Sequence, residues 1–138
     1  MKKYEVIEHT ADVGLRIYGR DLKELFVNAA RGLFSLIVDL EKVEPSFETD
    51  VDLKDDNREE LLISWLNELI FQFSARSFIP KEFRINKITN EGISAKVFGE
   101  KIDLSRHKIL SEIKAATYHE LEVKEINGGI QARVIFDI

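Results

Sequence analysis

The chain has 138 residues, 44% hydrophobic and 33% charged, a size and balance that predict one globular domain spanning residues 1–138. The absence of cysteine excludes disulfides, thiolate metal sites and cysteine nucleophiles, and no apolar run approaches the roughly 18 residues of a membrane span. The net charge of −5 argues against direct, tight nucleic-acid binding, and the composition as a whole predicts a cytoplasmic protein.

The N-terminal part predicts two strands followed by a helix. Polar and apolar residues alternate at 4–8 and 15–18, as is typical of half-buried strands. Asp21 is a candidate helix N-cap, and Glu24 three residues later completes a capping box. Apolar residues then recur at helical spacing as far as Phe34, so this helix is predicted to bury one broad stripe.

The rest of the chain predicts one more helix and several strands. Residues 47–53 are a candidate strand, and Asn57 or one of its neighbours is predicted to cap a second helix with apolar residues at helical spacing. Two strand pairs each flank a hairpin signal. They are residues 83–89 and 93–98 around Asn90-Glu91-Gly92, and residues 118–124 and 130–136 around Asn127-Gly128-Gly129. We therefore predict an α+β fold, with a mixed or antiparallel sheet and two amphipathic helices packed on one face.

The inventory of catalytic groups is small. There is no glycine-rich phosphate loop and no serine or threonine in a nucleophile elbow. His119 shares the strand parity of Leu121 and Val123, which predicts that it faces the core, and His107 lies in a basic loop and is predicted to be solvated. These features favour a protein that assists another protein over one that turns over a substrate by itself.

His9 and Asp12 lie in the short connection between the first two strands. Such a connection holds polar groups rigidly, which suits a binding site. The alternative interpretation is structural: Asp12 forms an Asx-turn and His9 caps the end of the strand.

The C-terminus carries a second acidic group. Val134 and Phe136 share one strand face, so Asp137 faces the other way, beside the terminal carboxylate of Ile138. Two neighbouring negative groups repel each other unless a cation joins them. A solvated chain end is the alternative. Taken alone, Lys114 is an ordinary surface lysine.

Four segments together resemble the archease family. Their order, their spacing and the length of the chain also match, so the resemblance covers essentially the whole sequence. The segments are His9-Thr10-Ala11-Asp12-Val13-Gly14, Trp65-Leu66-Asn67-Glu68-Leu69, Glu112-Ile113-Lys114-Ala115-Ala116-Thr117-Tyr118-His119 and Phe136-Asp137-Ile138.

The resemblance implies an activator of an RtcB-type RNA ligase in tRNA splicing and RNA repair, a protein cofactor and not an enzyme. Archeases promote guanylylation, the loading of GMP from GTP onto the active-site histidine of the ligase, so that the ligase turns over repeatedly. They also broaden the range of nucleoside triphosphates that the ligase accepts. GTP and RNA would be met only through the ligase, and no membrane is involved.

The resemblance also implies a divalent metal ion held by Asp12, Asp137 and Ile138. Calcium is the expected ion, with magnesium or manganese as alternatives, because carboxylates are hard oxygen donors. Lys114 matches the lysine of the family motif, and His9 and His119 are further candidates to face the partner or its nucleotide.

Two other functions stay open. One is a chaperone for a tRNA-modifying enzyme. The other is a stand-alone metal-dependent hydrolase, with Asp12 and Asp137 as ligands and His9 or His119 as the base.

Overall fold

The structure, a computed structural model, describes residues 2–8 and 12–138. The helices are α1 (Leu22–Ile37) and α2 (Arg58–Arg76), and a short 3-10 turn covers Leu40–Lys42. The strands are β1 (Tyr4–Glu8), β2 (Asp12–Gly19), β3 (Phe47–Lys54), β4 (Phe78–Thr89), β5 (Gly92–Lys101), β6 (Ala115–Ile126) and β7 (Gly129–Asp137). Neither helix of this described part is long and apolar enough to cross a membrane.

The strands form two antiparallel sheets, one in the order β1-β2-β7-β6 and one in the order β3-β5-β4. Helix α1 contacts β1, β2 and β7 of the first sheet and β4 of the second, whereas α2 contacts β6 and all three strands of the second sheet. The buried apolar residues of both helices and both sheets form one hydrophobic cluster. The predicted α+β class is confirmed, and its strands divide between two sheets.

Both predicted helix caps are present. The Asp21 carboxylate accepts a hydrogen bond from the amide of Glu24 at 2.9 Å, and the side chain of Asn57 accepts one from the amide of Glu60 at 2.9 Å. The carboxylate of Glu24 turns back to the amide of Arg20 at 3.1 Å. Each cap satisfies amide groups that have no partner within the helix, so these short polar motifs determine where α1 and α2 begin.

Trp65 joins the two helices to the second sheet. Its side chain is fully buried, and its indole N–H donates to the carbonyl oxygen of Phe26 in α1 at 3.0 Å. The Trp65 ring lies 6.3 Å from the ring of Phe26 and 6.0 Å from that of Phe83 on β4, measured between centroids. A large apolar ring with a satisfied polar group is thus the packing centre between α1, α2 and β4.

His107 is buried, so the prediction that it is solvated was wrong. Its Nδ1 accepts a hydrogen bond from the amide of Asp103 at 2.9 Å, and its Nε2 lies 2.6 Å from the Glu100 carboxylate on β5. Burial raises the pKa of Glu100, but hydrogen bonds from Arg106 and from the amide of Glu44 lower it. The lowering is the larger effect, so the pKa of Glu100 lies below its usual value. The neighbours of His107 in the chain are polar, and its ring is buried by contacts with distant residues, Glu100 on β5 and the carbonyl oxygen of Lys42, which lies 3.2 Å from Nε2.

A polar network lies on the outer face of the first sheet, the face turned away from the helices. Glu5 on β1 is the register partner of Arg16 on β2, and the Arg16 guanidinium donates to its carboxylate at 2.8 Å. The hydroxyl of Tyr18 donates to the same oxygen at 3.0 Å. Hydrogen bonds from Arg16, Tyr18 and Lys2 lower the pKa of Glu5 from 4.5 to about 2. This network therefore stabilises the β1–β2 pair only while Glu5 is ionised.

Replacing Glu5 should change the response of the protein to acid. A depressed carboxyl pKa gives stability that is present above 4.5 and is lost as the pH falls toward about 2. We expect Glu5→Gln to have a lower melting temperature than the wild type at neutral pH. The two melting temperatures should converge as the pH falls. Thermal unfolding followed by circular dichroism checks this, with Glu91→Gln in the exposed β4–β5 turn as the control. A difference in melting temperature between Glu5→Gln and the wild type that stays the same at every pH would contradict this expectation.

Candidate functional site

Asp12 and Asp137 lie directly opposite each other on neighbouring strands. Asp12 is the first residue of β2, Asp137 is the last residue of β7, and the two are register partners. Side chains of directly opposite residues project from the same face, with Cβ atoms about 4.5–5.5 Å apart. Asp12 is the first residue of β2, so it belongs to a strand and not to the connection before it, and its interpretation as an Asx-turn residue stays a prediction. The structure brings together the two aspartates that the resemblance assigns to a metal.

Two further predicted residues lie at the same place. Ile138 follows Asp137 directly and is 52% exposed. The amide of Lys114 donates to the main-chain oxygen of Asp137 at 2.8 Å, and the next residue, Ala115, is the register partner of Asp137 on β6. We call Asp12, Asp137 and Ile138, with Lys114 beside them, the acidic corner.

Gly14 supports the acidic corner by leaving room for a neighbour. It lies on the same face as Asp12 and is the register partner of Ile135 on β7. A Cβ atom on Gly14 would lie 2.8 Å from Cδ1 of Ile135 and 3.4 Å from Cβ of Ile7. Ile135 is almost fully buried although it faces away from the helices. The glycine therefore lets an isoleucine pack across β2 beside the aspartates.

Asn67 on α2 holds the first part of β6 in place, a role that the sequence analysis missed. Its side-chain amide donates to the carbonyl oxygen of Ala116 at 3.2 Å and accepts from the amide of Ala116 at 2.8 Å. β6 is an edge strand, so the outward main-chain groups of Ala116 have no strand partner, and Asn67 supplies both bonds. The available signal was a polar side chain inside the motif from Trp65 to Leu69.

His119 is 66% exposed, so the prediction that it faces the core was wrong. Between Thr117 and Glu122 the register of β6 with β7 shifts, and Glu120 within this bulge has a φ of 51°. The Glu120 carbonyl accepts a hydrogen bond from Arg133 at 3.1 Å. A bulge breaks the alternation on which the parity argument depends. The exposed His119 stays a candidate to contact a partner, whereas His9 lies outside the described residues.

The acidic corner fits a hard divalent cation. Two facing carboxylates supply oxygen donors, which calcium, magnesium and manganese prefer. Within residues 2–8 and 12–138, no group of three or more histidine, aspartate or glutamate side chains converges on a metal position. The remaining ligands would therefore be the terminal carboxylate of Ile138, main-chain oxygens and water.

Fold and site together define an α+β protein with two antiparallel sheets, two helices and paired aspartates at one corner of a sheet. The model of the archease protein family matches residues 4–138. The sequence is 38% identical to protein archease of Methanosarcina barkeri, over 99% of this chain and 97% of that protein. It is 34% identical to protein archease of Pyrococcus furiosus, over 100% of both. The chain therefore belongs to the archease family, which confirms the resemblance.

Solved structures show the same fold. The solution structure of Methanobacterium thermoautotrophicum protein 1598 matches with a TM-score of 0.84 at 35% identity, over 100% of both chains. The crystal structure of an archease from Thermotoga maritima, described as a possible chaperone, matches with a TM-score of 0.67. Its identity is 24%, over 97% of this chain and 96% of that chain, so this likeness concerns the fold alone.

Removing the amide of Asn67 should loosen the β6 segment beside the acidic corner. Asn67→Ala leaves the amide and the carbonyl of Ala116 without their partner, and unpaired main-chain groups cost about 1–3 kcal/mol. We expect a loss of this size in the free energy of unfolding, measured by urea titration. Asn86→Ala on the exposed side of β4 is the control. Equal stability of Asn67→Ala and wild type would show that Asn67 does not hold the strand.

Proposed function

We propose that this protein activates an RtcB-type RNA ligase by promoting guanylylation of the ligase, as a protein cofactor in tRNA splicing and RNA repair. The observation that carries the proposal is the register pairing of half-buried Asp12 with exposed Asp137, in a chain of the archease family. The cytoplasm, where such a ligase meets GTP and RNA, is the proposed location.

The proposed site consists of oxygen ligands with a cation beside them. The carboxylates of Asp12, Asp137 and the terminus at Ile138 would hold a divalent ion, calcium with magnesium or manganese as alternatives. When bound, the ion supplies positive charge for phosphate oxygens. Lys114 is exposed next to Asp137 and adds an ammonium group, a point charge that suits a phosphate.

The acidic corner is built on rigid main chain, which suits a group that has to enter a partner's active site. Asp137 is paired with Asp12 on one side and with Ala115 on the other, and its carbonyl accepts the amide of Lys114. Groups on strands held from two sides keep their positions better than groups on loops. The 52% exposure of Ile138 leaves an apolar side chain at the corner for contact with the partner.

Addition of this protein to an RtcB-type ligase should speed guanylylation with GTP. We expect multiple-turnover RNA joining at substoichiometric amounts of the protein, because an activator is released after each loading step. The protein alone should neither hydrolyse GTP nor join RNA. Transfer of radiolabelled GMP to the ligase measures guanylylation, and gel analysis of the joined RNA measures ligation. Robust GTP hydrolysis by the protein without ligase would favour the stand-alone hydrolase.

Neutralising the acidic corner should weaken metal binding and ligase activation together. We expect Asp12→Asn and Asp137→Asn each to lower divalent-metal affinity on the order of tenfold or more, since each removes a charged ligand. Asp137→Asn should leave the metal-free protein at least as stable, because it relieves repulsion with Asp12. Calorimetric titration beside the guanylylation assay measures both effects.

The control for the acidic corner is Asp52→Asn, an exposed carboxylate on β3. It carries the same charge change and should alter neither metal affinity nor activation. Full activation by Asp137→Asn with wild-type metal affinity would exclude the site.

A variant extended beyond Ile138 tests the terminal carboxylate separately, and we expect it to activate poorly.

A further inference from the structure

A groove lined by cations lies where the segment before β1 meets the first turns of α1. Its cavity measures about 620 Å³. We call it the basic groove and define it by Lys2, Lys3, Arg20, Lys23 and Arg31. Lys3 and Arg31 also line a neighbouring cavity of about 290 Å³, whose other lining residues are Tyr4, Leu40, Lys81 and Glu82, so the surface beyond the groove is mixed in charge.

The charge of the basic groove is opposite to that of the whole chain. The chain has 20 Lys and Arg residues against 25 Asp and Glu residues, whereas the groove has five cations and two carboxylates, Asp21 and Glu24. Both carboxylates are engaged within the protein. Glu24 pairs with Arg20 at 2.9 Å, and Asp21 accepts the amide of Glu24 as the cap of α1. The groove therefore presents positive charge to solvent.

Three cations of the groove are available to an external anion. Among the described side chains, Lys3, Lys23 and Arg31 form no ion pair with a carboxylate, although Lys3 acts on Glu24 at longer range and helps to lower the pKa of that carboxyl. Lys3 and Lys23 are exposed, and Arg31 is half-buried. Cations that are close together and unpaired repel each other, and an anionic ligand relieves that repulsion.

The lining indicates what kind of anion fits. Val27 is the one apolar side chain among the described residues that line the cavity, and no aromatic ring lines it. Protein interfaces have an apolar core with aromatic anchors, whereas a phosphate backbone needs little beyond distributed cations. We infer that the basic groove binds the sugar–phosphate backbone of RNA, where the choice of RNA over DNA rests on the proposed function. Without aromatic rings it has no platform for stacked bases, so recognition is independent of sequence.

The groove is well separated from the acidic corner. Asp12 begins β2, and the groove residue Arg20 follows the last residue of β2, Gly19. Eight strand residues place these two ends about 23 Å apart. That separation exceeds the Debye length of about 8 Å at physiological salt, so the acidic corner does not cancel the attraction of the groove for phosphate. One end can engage a partner protein while the other holds RNA.

The net charge of −5 limits the strength of this binding. Repulsion from the rest of the surface keeps the affinity low, in the range of about 10⁻⁴ to 10⁻⁶ M that is usual for non-specific contacts. Weak, salt-sensitive RNA binding in the groove is compatible with the absence of tight nucleic-acid binding expected from composition, but it departs from the expectation that RNA is met only through the ligase.

The test is fluorescence anisotropy of a labelled single-stranded RNA with the full chain and no ligase, from about 50 to about 200 mM salt. We expect Lys3→Glu/Lys23→Glu/Arg31→Glu to weaken binding at least about tenfold, and the log–log salt slope to flatten by about 0.7 for each cation removed. The control Lys54→Glu/Lys87→Glu/Lys108→Glu changes the net charge equally at exposed sites and should stay within about threefold of wild type. If half-buried Arg31 prevents folding, the pair Lys3→Glu/Lys23→Glu against Lys54→Glu/Lys87→Glu gives the same comparison.

Three outcomes would overturn the inference. They are no RNA binding at the lowest salt, equal weakening by groove and control variants, and loss of ligase binding with RNA binding intact. The last would assign the groove to an acidic protein surface. The variant Lys3→Glu/Lys23→Glu/Arg31→Glu should still promote guanylylation of the ligase in an assay without RNA. Asp137→Asn should still bind RNA. The inference and the proposed function can thus fail separately.

Discussion

The structure depends on the antiparallel pairing of β2 with β7, which joins a strand near the start of the chain to the last one. Burial sets its register: Leu15 and Val134 are partners, and both are fully buried. A slip of one residue would turn these side chains to the other face of the sheet. The opposition of Asp12 and Asp137 follows from that register. Like charges in opposite positions repel, so the hydrophobic core stabilises a juxtaposition that the two aspartates would not form by themselves.

Long-range polar contacts hold the segment between β5 and β6, which leads to the acidic corner. His107 and Glu100 form a buried pair at its start, and the hydroxyl of Ser111 donates to the carbonyl of Leu36 at 2.6 Å. Asn67 then binds the main chain of Ala116. These bonds join the segment to α1, α2 and β5, so its route is determined at points on both sides of Lys114.

The distribution of charge matters more for this protein than its sum. Near Asp12 the sheet presents carboxylates that suit a cation, and beyond the other end of β2 the basic groove presents lysines and arginines that suit phosphate. A net charge of −5 conceals this separation, because composition averages over the whole surface. Under the proposed function and the inferred RNA binding, the two ends would serve different partners, a nucleotide-handling enzyme and RNA.

The sequence by itself determined the features that depend on neighbours in the chain: the caps Asp21 and Asn57, the turn before Gly92 and the turn at Gly128. Each follows from local hydrogen bonding or backbone preference. The resemblance of four segments named the acidic residues, and the register of β2 with β7 placed two of them opposite each other. Only the tertiary structure decided that His107 is buried, that His119 is exposed and that Asn67 holds β6. Those outcomes depend on a contact with β5, a bulge in β6 and an unpaired sheet edge, which join residues far apart in the chain and leave no periodic signal in it.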